Sequence, residues 1–210
     1  IELIRKEVKP ALGCTEPTAV ALAVAKAMET VEEKCGLSGP DWRMEGAYSL
    51  CIEVSGNILK NGMGVGIPGT GMVGLHIAAA LGAVCGKSSY GLEVLNDRDE
   101  DSIAKAKEMV EAKDVTVGLA ETDHKLYVKA TVLCKDGHSA CAVIEDDHDN
   151  IVETWFDHAQ LTSSHKCEGA DAAAQKSTLD YKLTVKEIVD FASTVAYEDI
   201  EFILESRTLN

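Results

Sequence analysis

The pattern of apolar and polar residues along the chain predicts both helices and strands. Apolar residues at helical spacing predict helices at residues 16–35, 71–85 and 99–112. Alternating and β-branched runs predict strands at residues 47–54, 115–120, 125–134, 139–145 and 151–156. Because the last three strands are separated only by short turns, we expect them to pair as hairpins. The predicted fold class is α+β, a mostly antiparallel sheet covered by the three helices, with a helical C-terminal extension.

Composition divides the chain into three parts. We assign residues 1–161 to an α+β domain, residues 162–178 to a polar linker, and residues 179–210 to the start of a helical region. Within that region, Thr184 and Glu187 have the spacing of a capping box, which predicts the beginning of a helix. We expect the apolar face of this region to favour self-association, so a homo-oligomer is predicted.

The length and charge of the chain limit its class and its partners. Its 210 residues are enough to bury a hydrophobic core without disulfides or a structural metal. Lysine and arginine total 20 against 35 aspartates and glutamates, a formal net charge of -15. Because nucleic acids and anionic lipids bind basic surfaces, both are poor candidates as partners. The chain contains no apolar run near the roughly 20 residues of a membrane span and no secretory signal pattern, so we expect a cytoplasmic protein.

Seven cysteines are scattered along the chain without a CxxC pair or zinc-finger spacing. Their odd number argues against a disulfide framework. Cys51, Cys134 and Cys141 lie in strand-like runs, where we expect small buried hydrophobic residues. Cys14 precedes a predicted helix capped by Thr15, and the helix dipole there is expected to lower the thiol pKa. From its position alone, Cys14 is a nucleophile, a metal or cluster ligand, or an inert residue beside the helix cap.

Residues 61–75, with the sequence NGMGVGIPGTGMVGL, contain a large share of the chain's 17 glycines. Their Gly-x-Gly-x-x-Gly spacing, with Glu93 about twenty residues downstream, matches the dinucleotide-binding fingerprint. Two observations argue against a nucleotide-binding dehydrogenase. Pro68 removes a backbone donor that a pyrophosphate would use, and residues 57–63 include a lysine and an asparagine instead of a continuous buried strand.

A second interpretation of the same segment is a loop that binds a carboxylate. Glycines allow backbone N–H groups to converge on an anion at the start of a helix, while Thr70 adds a hydroxyl and Lys60 a positive charge. A third interpretation is purely structural, because glycines also permit tight turns and close helix packing. The residue pattern alone leaves these two interpretations open.

Two blocks of the sequence resemble a known family. The blocks EVKPALGCTEPTAVALA (7–23) and KNGMGVGIPGTGMVGLHIAAALGA (60–83) are similar to the two N-terminal signatures of the L-cysteine desulfidase family. That family is also catalogued as an uncharacterised group related to the α-chain of iron–sulfur L-serine dehydratases. Supporting blocks follow in family order at residues 91–95, 144–152 and 197–206, so the resemblance covers essentially the whole chain.

The resemblance implies an oxygen-sensitive [4Fe–4S] lyase that converts L-cysteine to sulfide, ammonia and pyruvate without pyridoxal phosphate. Cys14 would be one cluster ligand; three cysteines hold such a cluster, and the fourth iron stays open as a Lewis acid. The catalytic residues that the resemblance implies are Glu16, Lys60 and His148. The substrate-binding residues that it implies are Lys60, Asn61, Gly69, Thr70 and Gly71. At the position of His148 the family carries a histidine followed by a threonine. In this sequence Asp149 follows His148, so a role that the family assigns to the threonine is not expected here.

The sequence departs from the family chiefly in length. Family members are about twice as long, and their remaining cluster cysteines lie in the C-terminal half, whereas no cysteine follows Cys167 here. The resemblance therefore implies the N-terminal half of a lyase, which needs a missing C-terminal half or a second subunit and is inactive alone. The alternatives are an L-serine dehydratase-type lyase and a non-catalytic domain that binds a small molecule or mediates assembly.

Overall fold

The computed structural model describes residues 1–8, 11, 13–37, 40–163 and 183–205. The backbone divides into two compact units, one of residues 11–165 and one that joins residues 1–10 to residues 166–210. The sequence placed residues 1–10 in the main domain, whereas the structure groups them with the C-terminal region. The Arg5 guanidinium, for example, lies 4.5 Å from the centre of the Phe202 ring.

The larger unit is built on one six-stranded sheet. Its strands are β1 (Tyr48–Val54), β2 (Val115–Leu119), β3 (Tyr127–Cys134), β4 (Ser139–Glu145), β5 (Ile151–Phe156) and β6 (Ala159–Ser163). Their spatial order is β2-β1-β3-β4-β5-β6. Only the β1–β2 pair is parallel among these neighbours, and the other pairs are antiparallel. The predicted α+β class with a mostly antiparallel sheet is confirmed.

The helices, numbered along the whole chain, are α1 (Glu2–Glu7), α2 (Thr15–Cys35), α3 (Pro40–Glu45), α4 (Gly56–Gly62), α5 (Leu75–Cys85), α6 (Glu100–Glu111), α7 (Val185–Thr194) and α8 (Tyr197–Ile200). Short 3₁₀ segments follow α5 at Ser88–Glu93 and α8 at Glu201–Glu205. Helix α2 contacts β3, β4 and β5, whereas α5 contacts β1 and β2. The hydrophobic core lies between these two helices and the sheet.

Helices α2 and α5 pack parallel to one another at very close range. A Cβ atom added to Gly82 would lie 2.5 Å from the carbonyl oxygen of Ala21, and one added to Gly86 would lie 2.8 Å from Cβ of Ala25. Because both contacts advance by four residues on both helices, the two helices run in the same direction. Their N-termini therefore lie at the same end of the unit, and this places the two motifs of the sequence near one another.

The boundaries of α2 follow from its sequence. The helix is buried from residue 17 to residue 31 except at Lys26 and Glu29, which are half-buried. It ends at Gly36, which adopts a left-handed conformation with φ of 66°. This confirms the predicted helix at 16–35. The N-cap is Cys14, so the expectation that Thr15 caps the helix is wrong.

Other elements differ from the sequence-based expectations. Helix α5 begins at residue 75 instead of 71, because Gly66 and Val73 form an antiparallel bridge that holds the preceding residues out of the helix. Helices α3 and α4 and strand β6 were not predicted. Strand β6 continues to Ser163, so the linker predicted at 162–178 is wrong in its first two residues, and the rest of it lies outside the described residues.

The smaller unit contains the helices at both ends of the chain. The capping box predicted at the start of α7 is confirmed, since the Thr184 hydroxyl accepts from the Glu187 amide at 3.2 Å and Glu187 accepts from the Thr184 amide at 2.8 Å. Val185, Ile188 and Val189 of this helix are exposed, as expected for a helix with an uncovered apolar face. Within the described ranges, no helix has the length and apolar character needed to cross a membrane.

Candidate functional site

The Gly-Cys-Thr-Glu-Pro turn places Cys14 at the N-terminus of α2. Gly13 precedes it with φ of 94°, a left-handed conformation that glycine adopts without strain. The Cys14 thiol is exposed and donates a hydrogen bond to Oε2 of Glu16 at 2.8 Å. The Thr18 hydroxyl donates to the Cys14 carbonyl at 2.9 Å, which ties the turn to the first turn of the helix.

The pKa of the Cys14 thiol is raised above its ordinary value, chiefly by partial burial. The hydrogen bond to Glu16 raises it further, because the carboxylate stabilises the protonated thiol and repels a thiolate. The sequence-based expectation that the helix dipole lowers this pKa is therefore wrong in this arrangement. Partial burial and the neighbouring Glu16 carboxylate both raise this pKa, opposite to the direction expected from the helix dipole.

Glu16 connects the turn to α4. Its Oε2 accepts from the Cys14 thiol, and its Oε1 accepts from Nδ2 of Asn61, at the end of α4, at 3.1 Å. The pKa of Glu16 is lowered, first by the bond from Cys14 and to a smaller degree by the bond from Asn61 and the charge of His148. Cys14, Glu16, Asn61 and His148, predicted from segments far apart in the sequence, thus belong to one neighbourhood.

The Pro-Gly-Thr-Gly loop is a tight turn that its own hydrogen bonds hold together. The Ile67 amide donates to the Met72 carbonyl at 3.0 Å. The Thr70 side chain is buried; its hydroxyl donates to the Ile67 carbonyl at 2.7 Å and accepts from the Met72 amide at 2.9 Å. Gly69 and Gly71 adopt left-handed conformations, with φ of 82° and 67°. The hydroxyl expected to bind substrate therefore stabilises the loop.

The two motifs lie against one another. A Cβ atom added to Gly13 would lie 3.6 Å from Cγ of Pro68, so the first turn rests on the glycine loop. The loop leads directly into α5, whose N-terminus lies at the same end as that of α2. Because each helix N-terminus carries a partial positive charge, the pair favours a negatively charged ligand at this end.

Arg98 follows the 3₁₀ segment and contacts the glycine loop, and it was not predicted from the sequence. Its Nε donates to the Pro68 carbonyl at 3.1 Å, and its Nη1 donates to the Leu95 carbonyl at 3.0 Å. The Nε atom lies 3.6 Å from the position of a Cβ added to Gly69. The only signal in the sequence is one arginine within the acidic run at residues 97–101.

Lys60 precedes Asn61 at the end of α4 and is exposed. In the part of the chain that the structure describes, its ammonium group forms no ion pair. The structure thus brings Cys14, Glu16 and Asn61 into direct contact and places Lys60 beside them. Gly69, Thr70 and Gly71 belong to the neighbouring loop.

The described cysteines are too dispersed to hold a four-iron cluster. No group of three His, Cys, Asp or Glu side chains suited to a metal ion occurs among the described residues, and Cys167 lies outside them. Cys51 and Cys141 are half-buried and alternate with residues that face the helices, so they lie on the other face of the sheet. Both were expected to be buried, and the structure buries them only in part. Cys134 is also half-buried, and burial raises its pKa to about 11. The cluster therefore does not fit this set of residues alone.

A cavity of about 630 Å³ lies at the C-terminal end of α2, away from Cys14. Its wall includes Arg43, which is 8 % exposed and donates Nε and Nη2 to the two carboxylate oxygens of Glu32 at 2.7 and 2.8 Å. Arg43 also donates Nη1 to the Gly86 carbonyl at 2.9 Å, which satisfies the C-terminus of α5. These contacts are structural, so the cavity does not change the location of the candidate site.

The glycine loop lacks the surroundings of a dinucleotide-binding fingerprint. Such a fingerprint follows a strand and opens a helix within a unit of parallel strands. Here the segment before the loop is α4, and the strands after it pair mainly as antiparallel neighbours. The structure therefore agrees with the sequence-based argument against a nucleotide-binding dehydrogenase.

Comparison with known proteins identifies relatives along the whole chain. It is 42% identical over 212 residues to a UPF0597 protein of Phocaeicola vulgatus, covering 100% of this chain and 45% of that protein. It is 40% identical over 210 residues to a UPF0597 protein of Shewanella pealeana, of which it covers 46%. These names state no activity. The chain thus spans less than half the length of these curated relatives; no family model and no solved structure matches it.

Proposed function

We propose that the chain is part of an iron–sulfur amino-acid lyase that converts L-cysteine to sulfide, ammonia and pyruvate. The observation that carries the proposal is the meeting of the Gly-Cys-Thr-Glu-Pro turn with the glycine loop at the N-termini of the parallel helices α2 and α5. An exposed thiol and an anion-favouring loop then lie side by side. A cysteine ligand and a substrate carboxylate need these two features together.

The role of the chain's own residues follows from their contacts. Glu16 fixes the orientation of Sγ of Cys14, and Asn61 fixes Glu16. Both carboxylate oxygens of Glu16 are occupied and its pKa is lowered, so it is poorly suited to remove the α-proton of a substrate. We assign that step to His148, because imidazole is a common general base and this half-buried side chain lies near enough to Glu16 to lower the pKa of its carboxyl group.

The remaining cluster ligands are proposed to come from a missing C-terminal half or a second subunit. Cys14 is one thiol, whereas the cluster that the resemblance implies needs three. The relatives are more than twice as long as the chain, which leaves room for such a complement. When bound, the cluster would supply a Lewis-acid iron for the leaving sulfur. We expect the chain alone to be inactive.

The test is turnover by the chain combined with the part of the Phocaeicola vulgatus relative that lies outside the match, after anaerobic loading with iron and sulfide. We expect release of sulfide and pyruvate from L-cysteine. The Cys14→Ala variant is expected to lose this activity, whereas Cys51→Ala, on the other side of the sheet, is expected to retain it. Full activity of Cys14→Ala would refute the proposal.

The same assay separates the alternatives. L-Serine shares the carboxylate and the amine of L-cysteine and differs in its leaving group, so faster turnover of L-serine would identify a serine dehydratase. A non-catalytic binding domain is favoured by one observation, the dispersal of metal-ligating side chains across the described residues. That function predicts L-cysteine binding to the chain without turnover under any loading condition.

A further inference from the structure

Arg98 is held in a defined position against the glycine loop. Its Nε and Nη1 atoms donate to the carbonyl groups of Pro68 and Leu95, which belong to the loop and to the end of the 3₁₀ segment. The side chain is half-buried. Because two separate carbonyl groups hold the guanidinium, its plane is fixed before any ligand arrives.

Most of the donors of Arg98 remain available. A guanidinium has five N–H donors, and these two bonds use two of them. Although the chain carries a net charge of -15, Arg98 forms no ion pair with a carboxylate in the described residues. In the same set of residues, the amides of Gly69 and Gly71 donate no hydrogen bond. The loop therefore brings together the Arg98 guanidinium, which has no ion-pair partner in the described residues, and the two glycine amides that donate no hydrogen bond there.

We propose that Arg98 determines substrate specificity by binding the α-carboxylate of a small amino acid, together with the amides of Gly69 and Gly71. The inference rests on the proposed function, since it identifies which group of the substrate this loop recognises. The planar fork of an arginine pairs with the two oxygens of a carboxylate in parallel hydrogen bonds. The two helix N-termini at this end favour the same negative charge.

The surroundings of Arg98 favour a carboxylate over a phosphate. Asp97 pairs with Lys87 and Asp99 accepts from the Ser102 amide, so neither carboxylate neutralises Arg98. The net charge of -15 opposes a ligand with two negative charges more strongly than one with a single charge. Lys60, the other cation assigned to the substrate, lies at the end of α4 and is exposed. Arg98 is therefore better placed than Lys60 to hold the carboxylate on the loop.

Calorimetry on the metal-free chain tests this inference under anaerobic conditions, with L-cysteine, L-cysteine methyl ester and inorganic phosphate as ligands. We expect the wild type to bind L-cysteine about tenfold or more tightly than the ester, because charge-assisted hydrogen bonds are worth at least this factor. We expect no binding of phosphate. Arg98→Gln should lose the preference for the free acid while its affinity for the ester stays unchanged.

Two further variants separate recognition from folding. Arg98→Lys retains the positive charge and loses the planar pair of N–H donors. We therefore expect its preference for the free acid to lie between those of the wild type and Arg98→Gln. Lys135→Gln removes one positive charge from the exposed β3–β4 turn and should leave all affinities unchanged. Circular dichroism and thermal unfolding of each variant establish that it folds.

Several outcomes would overturn the inference. It fails if Arg98→Gln keeps the preference for the free acid over the ester. It also fails if the wild type binds neither L-cysteine nor its ester, or binds phosphate as tightly as L-cysteine. If Arg98→Gln weakens the binding of acid and ester equally, Arg98 only shapes the loop, and the inference fails as well. Because these measurements need neither iron nor turnover, they separate this inference from the proposed lyase. If the wild type prefers the free acid, Arg98→Gln loses that preference, and the loaded enzyme still shows no turnover, then the proposed lyase is refuted and the role of Arg98 stands.

Discussion

Replacing Gly82 with alanine tests the close packing of α2 and α5, on which the position of both motifs depends. The added Cβ would lie 2.5 Å from the carbonyl oxygen of Ala21 and 2.8 Å from its Cα. Both atoms belong to the backbone of α2, so no side-chain rotation can relieve the overlap. The two helices would have to move apart, and the turn at Cys14 would move away from the glycine loop.

Two opposing effects determine how much Gly82→Ala changes the free energy of unfolding. Overpacking of a core costs roughly 1–3 kcal/mol, and a rigid backbone contact belongs at the upper end of that range. Alanine is favoured over glycine within a helix by about 1 kcal/mol. The difference predicts that Gly82→Ala destabilises the fold by about 2 kcal/mol, although the same substitution in an unconstrained helix would stabilise it.

Urea unfolding followed by circular dichroism measures this change. With a slope of about 2 kcal/mol per molar urea, the midpoint of Gly82→Ala should fall by about 1 M. The matched control is Gly64→Ala, because an added Cβ there has no neighbour within 4 Å, and its stability should change by less than about 0.5 kcal/mol. If Gly82→Ala proves more stable than the wild type, the close parallel packing of the helices is wrong.

Three further predictions follow from side-chain contacts. Arg43→Ala should destabilise the fold by about 3 kcal/mol in urea unfolding, since it removes the cation paired with the half-buried Glu32 carboxylate and the donor to the Gly86 carbonyl. The pKa of His138 should lie above its ordinary value in an NMR titration and fall in Asp157→Asn, because the carboxylate hydrogen bond raises it. This raised pKa stabilises the fold at low pH, and that contribution is lost as the pH rises through the folded-state pKa of His138. Cys14 should react with iodoacetamide more slowly than an unperturbed exposed thiol, and Glu16→Gln should accelerate the reaction; equal rates for the two proteins would contradict the hydrogen bond.

The sequence was most informative where periodicity is long. Helix α2 and strands β3 and β4 lie close to their predicted positions, because a buried helix and a half-buried strand each impose their own repeat on the side chains. Helix α4 and strand β6 carry too few apolar positions to establish a period. The parallel pairing of β1 with β2 is also absent from the local pattern, because tertiary packing decides it.

In the candidate site, too, local contacts could be predicted from the sequence and contacts between distant segments could not. The contact between Cys14 and Glu16 joins residues two positions apart, so the motif itself could predict it. The contact between Gly13 and Pro68 depends on α2 and α5 being parallel, which no local pattern encodes. Arg98 was missed for a different reason, because one arginine in an acidic run is typical of an exposed helix start.

The iron and acid-labile sulfide bound per chain test the central claim most directly. They would be measured after anaerobic loading of the chain together with the remaining part of the Phocaeicola vulgatus relative. We predict a bound cluster in the wild type and in Cys51→Ser, and none in Cys14→Ser. Equal iron and sulfide in Cys14→Ser and the wild type would contradict the claim that Cys14 is a cluster ligand.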